Sequence, residues 1–417
     1  MTNQIENRDS LLQDPVIEPV IESTEFLYLT MDQRLEVLKR CNQRGWVYKV
    51  GSLPNIGGFV EGTGPEYAQN VFSQIIIPEA QQTGVVTVFQ RAGAIPGIGM
   101  NQEPYYHPDL GLILNEHGNI VFQTDFNAEQ VTQQAAGGID FDPQALPSWQ
   151  VIQTNAQLLR SLDIQVIKTQ LTSLNCARFN LAPEVGAIQE ELMSALAATH
   201  LSKAAELAPV VCVSLDNPNN DVIEGLPRDM KNMFGMEWDE NGDVSDYGLL
   251  GALNIVPALH SCGQYEMLQA MKLGVGLVHA DFATHNMDEL LRGDIDVLRQ
   301  FFNRQGLIAV GVIPQSENAM EALASESGIE LPEGKNRYKI LIEKLREKNE
   351  AVIQIVFDKY ARVLDYISQQ TGIDRNQLQV QCVPSYLCGF GGTRSIPVVQ
   401  YSLELAQAVS DKIWGKN

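Results

Sequence analysis

The chain has 417 residues, of which 44% are hydrophobic and 19% are charged, and this balance is typical of a globular protein with a large core. The formal net charge of −22 argues against a nucleic acid or an anionic membrane surface as a partner. The six cysteines are scattered, the N-terminus lacks a signal-peptide pattern, and no apolar run approaches the roughly 20 residues of a membrane helix. We therefore expect a cytoplasmic protein with reduced thiols and no membrane partner.

The chain begins with a polar arm and a helix, and it continues as an alternation of strands and helices. Met31 to Arg44 has a helical pattern, which Gly45 ends. Eight short apolar runs then predict strands, at 46–51, 84–89, 164–171, 209–215, a run ending at 260, 276–280, 307–313 and 377–383. Because such alternation implies a parallel sheet, the sequence predicts an α/β fold with a single (β/α)₈ TIM barrel over residues 46–417, preceded by an arm and helix over residues 1–45.

Residues 91–147 are too long for an ordinary connection after the second strand. They include a predicted hairpin, with strands Leu112–Leu114 and Ile120–Phe122. Long insertions of this kind often serve as lids or binding loops, so we expect this one to cover the carboxyl ends of the strands.

The stretch from Val256 to Leu268 carries the strongest chemical signal. It predicts a buried strand that ends at His260, followed by a tight turn containing Cys262 and then a helix. Residues two apart on a strand share a face, and imidazole and thiolate are ligands that zinc prefers. Cys388, in a glycine-flanked loop, is the best distant candidate for a third ligand. The alternative is that these side chains only pack.

Four further residues have two interpretations each. Asp216 ends the fourth strand, where it either holds a substrate ammonium group or stabilises an Asp-Asn-Pro turn. Asp281 ends the sixth strand and is either an oxygen ligand of the metal or a residue that supports the ligands, or else a helix N-cap or a solvated loop acid. His279 is either a rival ligand or a core residue, and Cys382 either substitutes for Cys388 or packs inside the protein.

At these residues the sequence resembles the superfamily of cobalamin-independent methionine synthase and uroporphyrinogen decarboxylase. The similarity runs in order along the barrel from about residue 46 to residue 414. The matching segments are Gly51-Ser52-Leu53-Pro54, Leu215-Asp216-Asn217-Pro218, Glu224-Gly225-Leu226-Pro227, His260-Ser261-Cys262-Gly263 and the terminal Cys388-Gly389-Phe390-Gly391-Gly392-Thr393-Arg394.

The resemblance implies a zinc-dependent methyltransferase that activates a thiol, with homocysteine favoured as the acceptor. Zinc would be the cofactor, and the methyl donor would be a methyl-folate or a methyl-corrinoid, either free or carried on a protein. The zinc ligands implied by similarity are His260, Cys262, Asp281 and Cys388. The implied substrate-binding residues are Ser52, Asp216 and Glu224, and Asp216 is also the implied catalytic residue.

The sequence also departs from the synthase pattern. Gln90-Arg91 stands where the synthase has Gly-Glu, Ser173-Leu174-Asn175-Cys176 replaces its Gly-Pro-x-Thr, and Asn217 replaces the Glu of its Asp-Glu-Pro turn. The zinc residues are therefore retained, while the contacts to the amino acid and the methyl donor are altered. Two alternatives follow: a metal-free enzyme similar to the decarboxylase, and a zinc-binding relative without catalysis.

Overall fold

The computed structural model describes residues 28–50, 52–53, 65–91, 105–140, 147–174, 181–216, 222–261, 267–390 and 393–416. The described strands are β1 Ser52–Leu53, β2 Val85–Thr87, β3 Gln90–Arg91, β4 Leu112–Leu114, β5 Ile120–Phe122, β6 Val166–Thr172, β7 Val210–Asp216, β8 Glu237–Trp238, β9 Val244–Asp246, β10 Ile255–His260, β11 Leu277–Asp281, β12 Leu307–Ile313 and β13 Cys382–Tyr386.

The described α-helices are α1 Met31–Gln43, α2 Pro65–Val71, α3 Ile77–Thr83, α4 Ala128–Ala135, α5 Pro147–Thr154, α6 Ala156–Arg160, α7 Pro183–Gly186, α8 Gln189–Ala205, α9 Val222–Phe234, α10 Gly248–Ala252, α11 Met267–Lys272, α12 Met287–Leu290, α13 Ile295–Asn303, α14 Glu317–Glu326, α15 Arg337–Glu347, α16 Asn349–Thr371, α17 Arg375–Gln381 and α18 Ile396–Ile413. None of the helices in these ranges combines the length and the apolar character needed to cross a membrane.

Seven of the described strands form one parallel sheet, in the order β13-β12-β11-β10-β7-β6-β2. Residues 46–50 lie beside one end of it, and β1 pairs with β3, which follows β2 in the chain. Tyr48 forms a parallel bridge with Ser385 of β13, and its N–H donates to Pro384 O at 2.9 Å. Ser52 of β1 pairs in parallel with Gln90 of β3. The sheet is consistent with a TIM-like barrel.

The two faces of the sheet bury different sets of side chains. Alternate residues such as Ile167, Val211 and Ile308 belong to the large cluster that includes the surrounding helices. Their neighbours Val166, Val210 and Leu307 belong to a second cluster inside the curl of the sheet. Because side chains alternate along a strand, one sheet with an outer helical layer and an inner core follows directly from the apolar runs.

Helix α1 closes the end of this inner core at which the strands begin. Its side chains Leu35, Leu38 and Cys41 are buried in the same cluster as the first residues of the strands. Thr30 caps the helix, since its hydroxyl accepts a bond from the Gln33 N–H while the Gln33 side chain accepts one from the Thr30 N–H. The N-terminal helix predicted for this region is confirmed, and residues 1–27 lie outside the described ranges.

The hairpin predicted within residues 91–147 is confirmed. Strands β4 and β5 pair antiparallel, with Leu112 opposite Phe122. Ile120 also bridges Leu181, and the Gln189 side chain donates to the Tyr105 hydroxyl at 3.1 Å, so the hairpin region contacts the chain that follows β6. Residues 92–104 and 141–146 lie outside the described ranges, and a lid role stays a prediction.

The last strand was predicted at the wrong position. Residues 377–381 belong to helix α17, and the strand occupies Cys382–Tyr386 instead. Asp374 explains the error, because its carboxylate accepts bonds from the N–H groups of Asn376 and Gln377 and so begins a helix. The shift also places Cys388 directly after the strand end.

Arg34 fixes α1 to the barrel, and its removal tests the closing role of that helix. The guanidinium donates to the carbonyl groups of Leu250, Ile255, Leu29 and Gly251 at 2.7–3.0 Å. We expect Arg34→Met to keep the packing of the stem but to lower the free energy of unfolding by about 3 kcal/mol, since several buried carbonyl groups lose a charged donor. Chemical denaturation measures this.

The control is Arg40→Met on the same helix. Arg40 contacts Glu36 at 3.6 Å with 28% of its side chain exposed, so we expect a loss below about 1 kcal/mol. Equal effects of the two substitutions would contradict an anchoring role for Arg34.

Candidate active site

Three ionisable side chains lie in one row across neighbouring strands of the sheet. Asp216 at the end of β7 is opposite His260 at the end of β10, and His260 is opposite His279 of β11. Side chains in register on parallel strands share a face, and these lie on the inner face of the curled sheet with Val210, Val256 and Leu277. The row thus lies toward the carboxyl ends of the strands, where active sites of barrel enzymes form.

His260 and His279 are hydrogen-bonded through their Nδ1 atoms at 2.7 Å. Both rings are buried, with exposed fractions of 3% and 0%. Burial, followed by the influence of His279 and Lys168, holds the pKa of His260 well below its ordinary value. Burial likewise lowers the pKa of His279 to about 4, against the opposing effect of its bond to Tyr386. Both imidazoles are therefore neutral at pH 7.

Cys388 approaches the other nitrogen of His260. Its Sγ atom lies 3.8 Å from His260 Nε2, and the side chain is half-buried. Two contacts hold its loop, since the Leu387 N–H donates to Ile313 O at 3.1 Å and the Phe390 ring packs edge-on against Tyr386 with centroids 4.9 Å apart. The structure thus brings together two side chains that the sequence predicted as metal ligands.

These two side chains fit a zinc ion. Zinc–sulfur distances of about 2.3 Å and zinc–nitrogen distances of about 2.0–2.1 Å, at a tetrahedral angle, place two ligand atoms about 3.6 Å apart. The observed 3.8 Å is close to that value, and it also suits a weak thiol–imidazole hydrogen bond. No group of three metal-binding side chains occurs within the described ranges, and Cys262, the third predicted ligand, lies outside them.

Asp281 contacts its own turn. One carboxylate oxygen accepts bonds from the N–H groups of Ala283 and Thr284, both at 2.9 Å, and the other accepts the Thr284 hydroxyl at 2.5 Å. Asp281 is therefore a loop acid that stabilises its own turn and not a helix N-cap, since Asn286 caps the next helix. Its role as a metal ligand stays a prediction. Cys382 is fully buried, and burial raises the pKa of its thiol, so this side chain packs as an unreactive thiol.

Asp216 ends β7 as predicted, with Ser214 Oγ 3.3 Å from its carboxylate. Burial raises the pKa of Asp216 to about 6, while the Lys168 ammonium and the Ser214 hydroxyl act in the opposite direction. Ser52 and Glu224 belong to β1 and α9, but their side chains lie outside the described part of the chain.

Lys168 was missed by the sequence analysis. It is fully buried on β6, where its ammonium donates to Gln170 Oε1 at 3.3 Å and lies 5.3 Å from the centre of the Tyr48 ring. Burial lowers the pKa of Lys168, and the Asp216 carboxylate opposes that shift. A signal existed, because Lys168 and Gln170 alternate with Ile167 and Thr169 and so share the inner face with Val166.

No family model and no curated protein sequence matches this chain. Among solved structures, a methyltransferase from Methanosarcina mazei aligns with 10% identity and a TM-score of 0.39, covering 91% of this chain and 98% of that one. A B12-independent methionine synthase from Shewanella sp. W3-18-1, in complex with selenomethionine, aligns with 12% identity and a TM-score of 0.37, covering 64% of this chain and 67% of that one.

The titration of Asp216 tests the electrostatics of this site. We expect its carboxylate to titrate near pH 6 in the folded chain, as measured by carbon-13 NMR of the aspartate side chains. In the unfolded chain the Asp216 carboxyl has the ordinary aspartate pKa of about 3.9. Between about pH 4 and pH 6 the folded chain therefore binds more protons than the unfolded chain. Stability should therefore fall as pH rises from about 4 to about 6, and Asp216→Asn should remove that part of the fall.

The matched variant is Lys168→Met. Because the Lys168 charge holds the pKa of Asp216 down, its removal should raise that pKa further above 6. Titration of Asp216 near its ordinary value, or no response to the loss of Lys168, would show that the two groups are not buried together as described.

Proposed function

We propose that this protein is a zinc-dependent methyltransferase that transfers a methyl group to a thiol, with homocysteine as the favoured acceptor. The observation that carries the proposal is the approach of Cys388 Sγ to His260 Nε2 at 3.8 Å, from loops and strands far apart in sequence. A neutral imidazole and a half-buried thiol at the carboxyl ends of the strands would supply two of the ligands of a catalytic zinc site.

The donor set is completed by residues that the sequence places nearby. Cys262 follows His260 by two residues, and with Cys388 it would give zinc one nitrogen and two sulfur ligands. Three protein ligands leave one position for substrate, and a thiol bound to zinc loses its proton at neutral pH. Asp281 is proposed as an oxygen ligand or as a residue that supports the ligands.

Asp216 is proposed to hold the ammonium group of the substrate amino acid. It lies beside His260 in the register of the sheet, and with a pKa of about 6 it is mostly ionised at pH 7. Ser52 and Glu224 are proposed to contact the rest of the amino acid, with Ser52 at its carboxylate. The methyl donor would be a methyl-folate or a methyl-corrinoid, either as a small molecule or carried on a protein.

The barrel that presents these residues is proposed to close as eight parallel strands. Residues 46–53 would be the first strand, because Tyr48 bridges Ser385 on one side and Ser52 pairs with Gln90 on the other. The stretch 46–417 would then be one (β/α)₈ unit, with residues 91–147 inserted after the second strand.

A second candidate is a zinc-binding relative without turnover. Ser52 pairs directly with Gln90, so the Gln90-Arg91 that replaces the synthase Gly-Glu lies beside a proposed substrate contact. Loss of that carboxylate would weaken amino-acid binding and leave the metal ligands intact. The two candidates differ only in catalysis.

Zinc content tests the ligand set. We expect about one zinc per chain in the purified protein, and we expect Cys262→Ser and Cys388→Ser each to lower the zinc content, because serine is a far weaker zinc ligand. Elemental analysis after dialysis against a weak chelator gives the measurement. Cys382→Ala is the matched control, since that fully buried thiol begins β13, the strand that Cys388 follows. This substitution should not change the zinc content. Full, tight zinc in either serine variant would remove that cysteine from the ligand set.

Methyl transfer tests the reaction itself. We expect the zinc-loaded protein to methylate homocysteine from methyl-cobalamin or from a methyl-folate, as detected by methionine formation, and Cys388→Ser to lose that activity. Asp216→Asn should lower kcat/KM for homocysteine by roughly 10–150-fold, equivalent to the 1.5–3 kcal/mol of a charge-assisted hydrogen bond.

The des-amino analogue of homocysteine is the matched substrate. It lacks the ammonium group, so Asp216→Asn should hardly change its methylation. Equal losses with both thiols would assign Asp216 to the turn rather than to the substrate. Zinc binding without methyl transfer from either donor would favour the relative without turnover.

A further inference from the structure

We infer that His279 is a positioning residue that fixes the tautomer of His260, so that the lone pair of His260 Nε2 points at Cys388. The inference rests on the proposed function in one respect, because it takes the occupant of the space between His260 and Cys388 to be a zinc ion. It assigns a role to a residue that neither the motif resemblance nor the predicted ligand set includes.

The hydrogen bonds determine first the tautomer of His279 and then that of His260. His279 Nε2 lies 2.8 Å from Tyr386 O, and a carbonyl oxygen only accepts, so Nε2 of His279 carries a proton. A neutral imidazole has one N–H, and Nδ1 of His279 is then an acceptor. His260 Nδ1, which lies 2.7 Å from it, must be the donor. This leaves His260 Nε2 without a proton, which is the form that binds a metal.

His279 itself is a poor ligand in this arrangement. Both of its ring nitrogens are used, Nδ1 with His260 and Nε2 with Tyr386 O, and the ring is fully buried against Tyr48 with centroids 6.0 Å apart. A histidine that binds zinc commonly donates its second N–H to a carboxylate, a carbonyl or water. Here the acceptor for His260 is another imidazole.

The contacts form a closed ring that includes the end of β13 and the loop after it, which carries Cys388. Tyr386 accepts from His279, His279 accepts from His260, His260 faces Cys388, and Cys388 is two residues after Tyr386 in the chain. Ser385 Oγ donates to Tyr48 O at 2.9 Å, which ties the same strand to residues 46–50. The orientation of the imidazole and the position of the thiol are therefore set by one strand.

The first test reads the tautomer directly in the metal-free protein. Nitrogen-15 NMR of the histidine side chains distinguishes protonation at Nδ1 from protonation at Nε2, and the His260 signals are assigned by their loss in His260→Asn. We expect His260 protonated at Nδ1 and His279 protonated at Nε2. His260 protonated at Nε2 would overturn the inference. This result does not depend on zinc, so it is separate from the outcome for the proposed function.

The second test uses a pair of variants at residue 279 and a chelator competition with zinc alone. His279→Asn retains a carbonyl oxygen at about the position of Nδ1, so it should keep the His260 tautomer and nearly all of the zinc affinity. His279→Phe retains ring volume without an acceptor, so His260 should become a mixture of tautomers and zinc binding should weaken roughly 10–100-fold, as for other partners of zinc-binding histidines.

His200→Phe is the control for loss of a buried histidine. His200 is also fully buried and hydrogen-bonded, to Thr169 at 2.7 Å, but it packs against Trp149 on the outer side of the sheet. We expect the zinc affinity of His200→Phe to match that of the unsubstituted chain. An unchanged His260 tautomer and unchanged zinc affinity in His279→Phe would overturn the inference. If His279→Phe fails to fold, His260 protonated at Nε2 in His279→Asn would likewise overturn the inference.

Discussion

Parallel register between β7, β10 and β11 is the constraint on which the site depends. It places Asp216, His260 and His279 in one row, although nothing in their local sequences brings them together. In β6, β7, β10 and β11 the inward side chains at the beginning of the strand are apolar and lie beneath α1, and those nearer the end are polar, among them Lys168, Asp216, His260 and His279. The same fold therefore provides an apolar base and a polar end that carries the candidate site.

Polar groups in such an interior need hydrogen-bonding or charged partners, because their desolvation is otherwise costly. The two histidines, the Tyr386 carbonyl, the Lys168 ammonium and the Asp216 carboxylate meet this requirement in different ways. The histidines remain neutral and share hydrogen bonds, which costs little desolvation. Lys168 and Asp216 instead influence each other as opposite charges, and burial shifts both pKa values toward the neutral forms. His260, which stays neutral, is therefore the member of the row that suits metal binding.

Much of the fold could be predicted from alternation and apolar runs. The strand Leu307–Ile313, the strand end at His260 and the hairpin of β4 and β5 all have the predicted positions. The position of the last strand was predicted wrongly because the apolar residues favoured a strand, whereas Asp374 caps a helix there. A short apolar segment fits a strand or a buried helix equally well, and the cap determines which one forms.

Only those parts of the candidate site that are recognisable from single residues could be predicted from the sequence. His260 and Cys388 are recognisable from their types and their flanking turns, but Lys168 and His279 acquire meaning only through their neighbours in space. The bonds that orient the imidazole join residues 19, 107 and 128 positions apart. A linear pattern reports which face a side chain occupies, whereas a tautomer depends on which atom of the neighbouring strand lies opposite it. The sequence left His279 as either a rival ligand or a core residue. It is a fully buried residue whose two ring nitrogens bond to His260 and to Tyr386 O, and its neighbours in space decide its role.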